Sequence, residues 1–551
     1  MTPASFPSGV DVRSRHLARW AALGLMVVLV LAIPASQCRW TVDDPYLLDF
    51  ARMTLREAHA EWMRLWGFER LQTPLLCHLQ YPLGEGLCHL LRVAVHVACA
   101  ALYGLLLVRL GWGSAVAVTS VFFWLFLPFQ VEPVMLPNFQ SLLSQPALLG
   151  SLLLFERGGA ATATATRAAC WSLAPVLAFV ATLGHGSYLF SPLLLLTLPA
   201  CPARRRWQVS PTTAWLAAGA SAVVPIAVSS LLHVVHRYPL RGAPTGGGFP
   251  KIVLSMQYRC LEWTATNLRD AFTHPQVPFL VAQSVVLLLA AIVFARSLPA
   301  ATVDAADEDA APGTLARFGA WAYAWVLVGY GVYFLSGGAT GTARQNYVAS
   351  MGIAAVLGAA VTGLRRTRLG RPLATAILAL TLLGTLGVAW RYVRWTEGVA
   401  ACIARREGRP SVPVFVRLYT RCADEAWAVR APVGTGLSFD EHNVRNWVVT
   451  GFSGFMSRED PRPLETQMAR KLAEAFAKAW PFLDAAARRR LAEEVEREVE
   501  AAQPADRGSV PAGRQVAGLR PVGAAVWPHS RHRARSSLVA RLPGAVPAAP
   551  H

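Results

Sequence analysis

Long apolar runs recur along most of this chain and restrict its fold more than any other feature. A helix that crosses a bilayer needs about 20 apolar residues, and eleven stretches approach that length, at 20–36, 87–110, 115–132, 139–155, 169–184, 187–201, 213–235, 277–296, 318–335, 347–363 and 373–390. Only 15% of the residues are charged, whereas soluble domains are about a quarter charged. The sequence therefore predicts an all-α integral membrane protein with about 11 transmembrane helices.

Arginine clusters orient these helices, because short cytoplasmic loops carry an excess of Lys and Arg. Three clusters share one side if the N-terminus is cytoplasmic and the number of spans is odd: Arg13, Arg15 and Arg19; Arg204, Arg205 and Arg206; and Arg365, Arg366, Arg368 and Arg371. The C-terminus is then outside. The net charge of +19 is assigned to loops, so no nucleic acid partner is expected.

The same pattern divides the chain into regions. We expect a cytoplasmic N-terminus at 1–19, a membrane domain at 20–390 with outer loops 37–86 and 236–276, an outer C-terminal region at 391–500, and a disordered basic Pro/Ala/Arg tail at 501–551. The first span is interpreted as an uncleaved anchor, with a signal peptide as the alternative. The acidic segment 303–309 is interpreted as a solvated loop.

Helical periodicity also appears outside the spans. In the first outer loop, Leu48, Leu55, Trp62 and Trp66 form a stripe typical of an interfacial helix lying on a membrane. In the tail, two amphipathic helices are predicted over 464–472 and 483–499, separated by Pro481. Cys402 and Cys422 are a candidate disulfide in this outer region, and Cys38, Cys77, Cys88 and Cys260 are other candidates on that side.

The first candidate site is Asp43-Asp44, directly after the first span. Two adjacent carboxylates at a membrane surface can act as a general base or as metal ligands. A divalent cation is therefore the one candidate cofactor. The alternative is an ordinary solvated loop.

The second candidate is the face formed by His89, Arg92 and His96, which follow the i, i+3, i+7 spacing of a helix. Ionisable residues inside a span are costly and usually functional. The alternative is that His89 and Arg92 extend to the membrane interface while His96 caps a neighbouring polar group.

Two further candidates lie at predicted outer ends of spans. Glu132 follows the third span within Pro-Phe-Gln-Val-Glu-Pro-Val, and Arg344 with Tyr347 precedes the tenth. A guanidinium suits a lipid phosphate because it forms bidentate hydrogen bonds. An interfacial Arg/Tyr anchor is the alternative for this pair.

Together these motifs resemble the membrane core of GT-C class glycosyltransferases. The stretch from His89 to Glu156, the Leu-Gly-His-Gly-Ser-Tyr segment containing His185, and Arg344-Gln-Asn-Tyr-Val-Ala-Ser-Met-Gly352 are similar to elements of mannosyltransferases with tetratricopeptide repeats and of their repeat-free bacterial relatives. The chain lacks tandem repeats. It has Arg92 where the family usually has asparagine, and His185 where the family usually has lysine followed by glutamate.

The resemblance implies an inverting-type transferase that moves a sugar from a polyprenyl-phosphate carrier to a glycan, lipid or protein acceptor, in a bacterial inner membrane. It implies that the carboxylate of the first outer loop, Asp43 or Asp44, activates the acceptor. His89, Arg92, His96, Glu132, His185, Arg344 and Tyr347 then bind substrate. A multi-pass transporter or lipid flippase, and a non-catalytic relative of the transferases, remain as alternatives.

Overall fold

The computed structural model of the protein describes residues 9–39, 50–51, 53–66, 71–135, 139–184, 186–235, 254, 257–258, 265, 278–298, 312–336, 347–404 and 493. Every regular element in these ranges is a helix, and none is a β-strand. The predicted all-α class is confirmed for this part of the chain. The predicted tail helices beyond 404, the disordered tail and the Cys402–Cys422 disulfide lie outside the described side chains and stay predictions.

Numbered in chain order, the helices are α1 (Gly9–Val27), α2 (Ile33–Gln37), α3 (Leu55–Trp66), α4 (Thr73–Gln80), α5 (Glu85–Arg109), α6 (Ser114–Phe126), α7 (Val131–Met135), α8 (Phe139–Ala160), α9 (Thr164–Gly184), α10 (Pro211–Val235), α11 (Pro278–Ser297), α12 (Pro312–Ser336), α13 (Ala349–Leu364) and α14 (Gly370–Ala404). A π-helical turn, Val28–Ala32, joins α1 to α2. Short 3₁₀ segments occupy Tyr81–Leu83, Pro128–Gln130, Gly186–Tyr188, Ser191–Ala200 and Pro202–Arg206.

Five helical segments among the described residues are long and apolar enough to cross a membrane: Ser14–Gln37, Glu85–Arg109, Thr164–Gly184, Pro211–Leu232 and Gly370–Arg394. Large apolar side chains on them point away from the protein, and Leu216 is 70% exposed. Contact of such side chains with water is unfavourable, whereas contact with lipid chains is not. The chain thus has the helices of a multi-pass membrane protein, while the count of eleven spans stays a prediction.

Two of the predicted spans are wrong as continuous α-helices, because proline interrupts them. The predicted span 115–132 is broken, because Leu127 is extended (φ −66°, ψ 131°) ahead of Pro128 and α6 therefore ends at Phe126. The predicted span 187–201 is not an α-helix, and its main element is the 3₁₀ segment Ser191–Ala200, which contains Pro192 and Pro199. Proline removes the backbone N–H that an α-helix needs.

Two helices also extend beyond the predicted ends of their spans. The helix that begins the chain starts at Gly9, well before residue 20. The last described helix, α14, continues past residue 390 to Ala404. Hydropathy marks where a helix enters lipid, but it does not mark where the backbone stops being helical, so both helices extend beyond their apolar runs.

The predicted helix in the first outer loop is confirmed as α3, but its buried face differs from the predicted stripe. Ala58 and Trp62 are buried, whereas Leu55 is exposed. Trp62 packs edge-on against Phe50 with ring centroids 5.3 Å apart and belongs to a small apolar cluster with Cys77 of α4 and Tyr81. This face of α3 therefore contacts protein.

Side-chain contacts show how the helices that carry the candidate residues run. Tyr103 of α5 donates to the Met351 carbonyl of α13 at 2.7 Å, and His96 lies near Tyr347, so α5 and α13 run parallel. Thr119 near the start of α6 bonds Thr362 near the end of α13, so α6 runs antiparallel to both. A Cβ on Gly358 would lie 2.7 Å from the Ser120 backbone nitrogen, which explains the glycine at this crossing.

These directions define two ends of the bundle. We call the polar end the one formed by Arg39, Glu85, His89 and α7. We call the arginine end the one formed by Arg109, the segment Pro202–Arg206 and the turn at 365–371. At the arginine end, the Ala203 amide bonds the Leu110 carbonyl just after α5, and Arg365 bonds carbonyls at the end of α11.

Candidate functional site

One face of α5 carries the predicted histidines and arginine into the interior. His89, Arg92 and His96 are all fully buried, as the i, i+3, i+7 spacing predicts. Their burial contradicts the alternative in which His89 and Arg92 extend to the membrane interface. Because a buried ionisable group is costly unless it is hydrogen-bonded, the partners of each side chain decide what it can do.

Arg92 is held by neutral acceptors. Its Nε and Nη2 both donate to Oε1 of Gln80, each at 3.1 Å. Its Nη1 lies 3.3 Å from Nδ1 of His89. Gln80 ends α4, and the thiol of Cys88 also points at its amide oxygen at 3.5 Å. These bonds fix the orientation of the guanidinium.

The bond to Arg92 also fixes the tautomer of His89. A guanidinium can only donate hydrogen bonds, so Nδ1 of His89 must accept and the ring proton must be on Nε2. Nε2 is buried, and it makes no well-aligned hydrogen bond among the described residues. Backbone groups of Val134 and Arg39 are nevertheless close enough to interact with the ring. The N–H of His89 is therefore directed at the backbone of the polar end.

The short helix α7 brings Glu132 to the same end. Glu132 is fully buried, and its neighbour Val134 lies beside the His89 ring. Gln130, in the preceding 3₁₀ turn, is 1% exposed, and neither atom of its amide has a hydrogen-bond partner in the described part of the chain. Gln130 and Gln80 were not predicted as site residues, although Gln130 lies in the same motif as Glu132.

An ion pair joins the two spans that meet at the polar end. Nη1 of Arg39 lies 2.9 Å from Oε2 of Glu85, and the hydrogen bond and charge of Glu85 raise the pKa of Arg39. The Arg39 amide also donates to the hydroxyl of Thr396 in α14 at 3.1 Å, and the Cys38 thiol contacts the Met135 sulfur of α7 at 3.5 Å. Cys38 and Arg39 are thus held against α5, α7 and α14.

His96 lies two turns deeper on α5, about 10 Å along the axis, and its polar atoms are occupied. Nδ1 lies 3.1 Å from the Tyr347 hydroxyl, and Nε2 lies 3.4 Å from the Leu125 carbonyl. Its ring stacks on Trp124 with centroids 4.7 Å apart, and Trp124 donates to Ser350. Of the predicted site residues, His96 and Tyr347 are brought into direct contact, but their groups satisfy each other.

Four predicted site residues, Asp43, Asp44, His185 and Arg344, lie outside the described residues. Among the residues that are described, no group of three or more His, Cys, Asp or Glu side chains is arranged to hold a metal ion. No family model, no curated protein and no solved structure matches this chain.

Proposed function

We propose that the protein is a membrane glycosyltransferase that moves a sugar from a polyprenyl-phosphate carrier to an acceptor hydroxyl at the polar end. The proposal includes eleven spans, a polar end and C-terminus on the outer face, and a bacterial inner membrane. Three arguments support it. The motifs resemble those of the transferases, and an odd number of spans places all three arginine clusters on one side of the membrane. The third argument is the geometry of the buried polar end.

The observation that carries the proposal is the buried Arg92–His89 pair. Together these residues place a guanidinium of fixed orientation and a buried imidazole at one end of an apolar helix bundle. An anionic lipid-borne group is a chemical match for such a pair, because charge-assisted hydrogen bonds from arginine are strong and directional. In sequence, Asp43 and Asp44 follow Arg39 closely, and Arg344 precedes Tyr347 by three residues.

In the proposed reaction, the acceptor oxygen attacks the anomeric carbon of the sugar. The bond from that carbon to the phosphate oxygen breaks, and its electron pair leaves with the polyprenyl phosphate. Asp43 or Asp44 takes the acceptor proton as general base. We favour Asp43 as the base. Asp44 precedes Pro45 and is therefore held extended, so that its role is to fix the loop. Arg344, with Arg92 and His89, stabilises charge on the leaving phosphate.

The deciding experiment substitutes Asp43→Asn and Asp44→Asn together in full-length protein reconstituted in vesicles, with transfer and donor binding measured separately. Loss of a general base lowers the rate by about 10²–10⁴-fold, while donor binding is retained. Arg344→Ala is expected to lower the rate and weaken donor binding as well. Transfer at the wild-type rate in the double variant would contradict the catalytic assignment, and Glu132 would be the next carboxylate to test.

The same vesicles distinguish the runner-up from the proposal. A transporter or flippase would translocate the lipid-linked sugar without forming a new glycosidic bond. The proposal expects that a glycosylated acceptor forms, and that the lipid-linked sugar is not translocated when the acceptor is omitted. Translocation without transfer, in wild-type protein, would contradict it.

A further inference from the structure

The arginine end contains a cationic patch that the proposed transfer reaction does not use. The turn between α13 and α14 carries Arg365, Arg366 and Arg371. Arg19 of α1 lies close enough to Arg365 for its charge to act there. We define these four residues as the arginine patch. It lies where α1, α11 and the turn meet, at the opposite end of the bundle from His89.

Two members of the patch have clear structural roles. Nη2 of Arg365 donates to the carbonyls of Ala295 and Leu298 at 2.9 and 3.3 Å, which satisfies acceptors left open at the end of α11. Nε of Arg371 donates to the Arg365 carbonyl at 3.3 Å. Burial, together with the nearby charges of Arg371 and Arg19, lowers the pKa of Arg365. The patch therefore concentrates positive charge.

The other two members have unused donors. Arg19 is 3% exposed, and its buried Nε has no hydrogen-bond partner among the described residues. The buried Nε of Arg366 likewise has none in this part of the chain. An arginine that only sets topology can remain solvated, so the burial of Arg19 is not explained by orientation alone. Burying a charge is costly unless it is paired, and these donors suit an anion.

Exposed apolar side chains lie at the same end of the bundle as the patch. Arg19 is on the buried side of α1, and on the exposed side Leu17 and Trp20 are 73% and 52% exposed. Beside the turn, Leu369 and Leu373 are 86% and 52% exposed. Tryptophan is typical of the membrane interface. A cationic patch at the same end of the bundle as exposed apolar side chains matches an amphiphile with an anionic head and acyl chains better than it matches a free anion.

We propose that the arginine patch binds the phosphate of an anionic phospholipid headgroup, with Arg19 and Arg366 as the donors and the exposed Trp20 and Leu369 against the acyl chains. Basic sites between spans are a general means of binding anionic headgroups. The site is separate from the proposed transfer site, and its test does not depend on transfer activity.

The test uses full-length protein in neutral detergent and measures the shift in unfolding temperature as lipid is added, because a ligand that binds the folded state stabilises it. The expected result is stabilisation by phosphatidylglycerol beyond that by phosphatidylcholine. Arg19→Gln with Arg366→Gln should weaken phosphatidylglycerol binding by about 5-fold for each arginine removed. The matched control is Arg205→Gln with Arg206→Gln, which removes the same charge from exposed positions at the same end and should bind normally.

Several results would overturn the proposal. One is equal stabilisation by the two lipids, and another is equal binding by the patch and control variants. Inorganic phosphate that stabilises as well as phosphatidylglycerol would identify a soluble anion as the ligand. Neutralising Asp304, Asp307, Glu308 and Asp309 should leave lipid binding unchanged, and a gain in affinity there would mean that the chain's own acids pair with the patch. Should the double variant not fold, Arg366→Gln alone provides the same comparison.

Discussion

Helix α5 carries an arginine near each end, and the two are held in opposite ways. Arg92, toward the polar end, is fully buried and bonded to an amide oxygen and an imidazole. Arg109, at the arginine end, is 45% exposed at its side chain and pairs with the Glu156 carboxylate at 3.2 Å. Because Arg109 is partly solvated and its charge is paired with Glu156, which is 7% exposed, an ordinary ion pair explains Arg109 without a function.

Arg92 does need an explanation, because moving a charged group out of water is costly. Gln80 and His89 fix its orientation through three hydrogen bonds. A guanidinium held in this way suits directional hydrogen bonds to the phosphate of the proposed donor. The comparison thus separates an arginine whose described contact is an ordinary ion pair from one to which the proposed function assigns a ligand.

The largest expected effect is on transfer. Arg92→Met should lower the rate by about 10²–10³-fold, the typical cost of losing a fixed charge contact in the transition state. Arg109→Met should leave it near wild type. Transfer in reconstituted vesicles measures both. Arg92→Lys retains the charge but lacks the planar fork, so it separates a loss of charge from a loss of folding. Equal activity of the Arg92 and Arg109 variants would remove the distinction.

The next effect is on stability. Gln80→Leu removes the acceptor of two Arg92 bonds and should cost about 1.5–3 kcal/mol, the range for hydrogen bonds to charged groups. Glu156→Gln keeps an amide oxygen that can accept from Arg109, whose side chain is 45% exposed, and should therefore cost less than Gln80→Leu. The free energy of unfolding in mixed micelles provides the measurement. A larger loss for Glu156→Gln would show that the Arg109–Glu156 pair is the more important one.

Helical periodicity was enough to predict one face of this site. Spacing of 3, 4 and 7 residues placed His89, Arg92 and His96 together, and all three are buried on α5. Periodicity could not predict Gln80, because a single neutral glutamine carries no pattern and its contact depends on how α4 packs. Gln130 lies in the same motif as Glu132, but it is neutral, and only the charged residue of the motif was predicted as a site residue.

The fold, like the site, could be predicted from sequence patterns only in part. Apolar runs located the helices, since each of the eleven predicted stretches overlaps a described helix or 3₁₀ segment. They did not predict the interruptions at Pro128, Pro192 and Pro199, because a hydropathy average treats proline as one mildly polar residue. The backbone consequence of proline is a missing N–H and a restricted neighbour, and neither depends on hydropathy.

A smaller effect should distinguish the two histidines of α5. Tyr347→Phe leaves Nδ1 of His96 without its partner in the interior and should cost about 1–2 kcal/mol. His89→Asn keeps a side-chain oxygen that can accept the Arg92 bond now made to Nδ1 but removes the Nε2 N–H, so unfolding should change little while transfer falls. Unfolding and transfer measured on both variants check this. A large loss of stability in His89→Asn would mean that the Nε2 N–H is already used in the folded protein.

The smallest effect concerns α3, which packs on the helix that carries Gln80. Thr54 and Glu57 form a capping box: the Thr54 amide and hydroxyl donate to Glu57 Oε2 at 2.9 and 2.7 Å, and the Glu57 amide donates to the Thr54 hydroxyl at 3.3 Å. These hydrogen bonds from Thr54 lower the pKa of Glu57. Because the folded-state pKa is depressed, the stabilisation is present above the unfolded pKa of about 4.3 and is lost as the pH falls through the folded value.

Hydrogen exchange of the peptide 55–66, corrected for intrinsic rates, should therefore speed up on acidification in the wild type. Glu57→Gln cannot titrate, so its exchange should show no such rise, and Thr54→Val should weaken the cap at all pH values. Arg92 lies beyond Gln80, so neither change should alter transfer by more than a small factor. An identical acid response in the wild type and Glu57→Gln would mean that another group controls this helix.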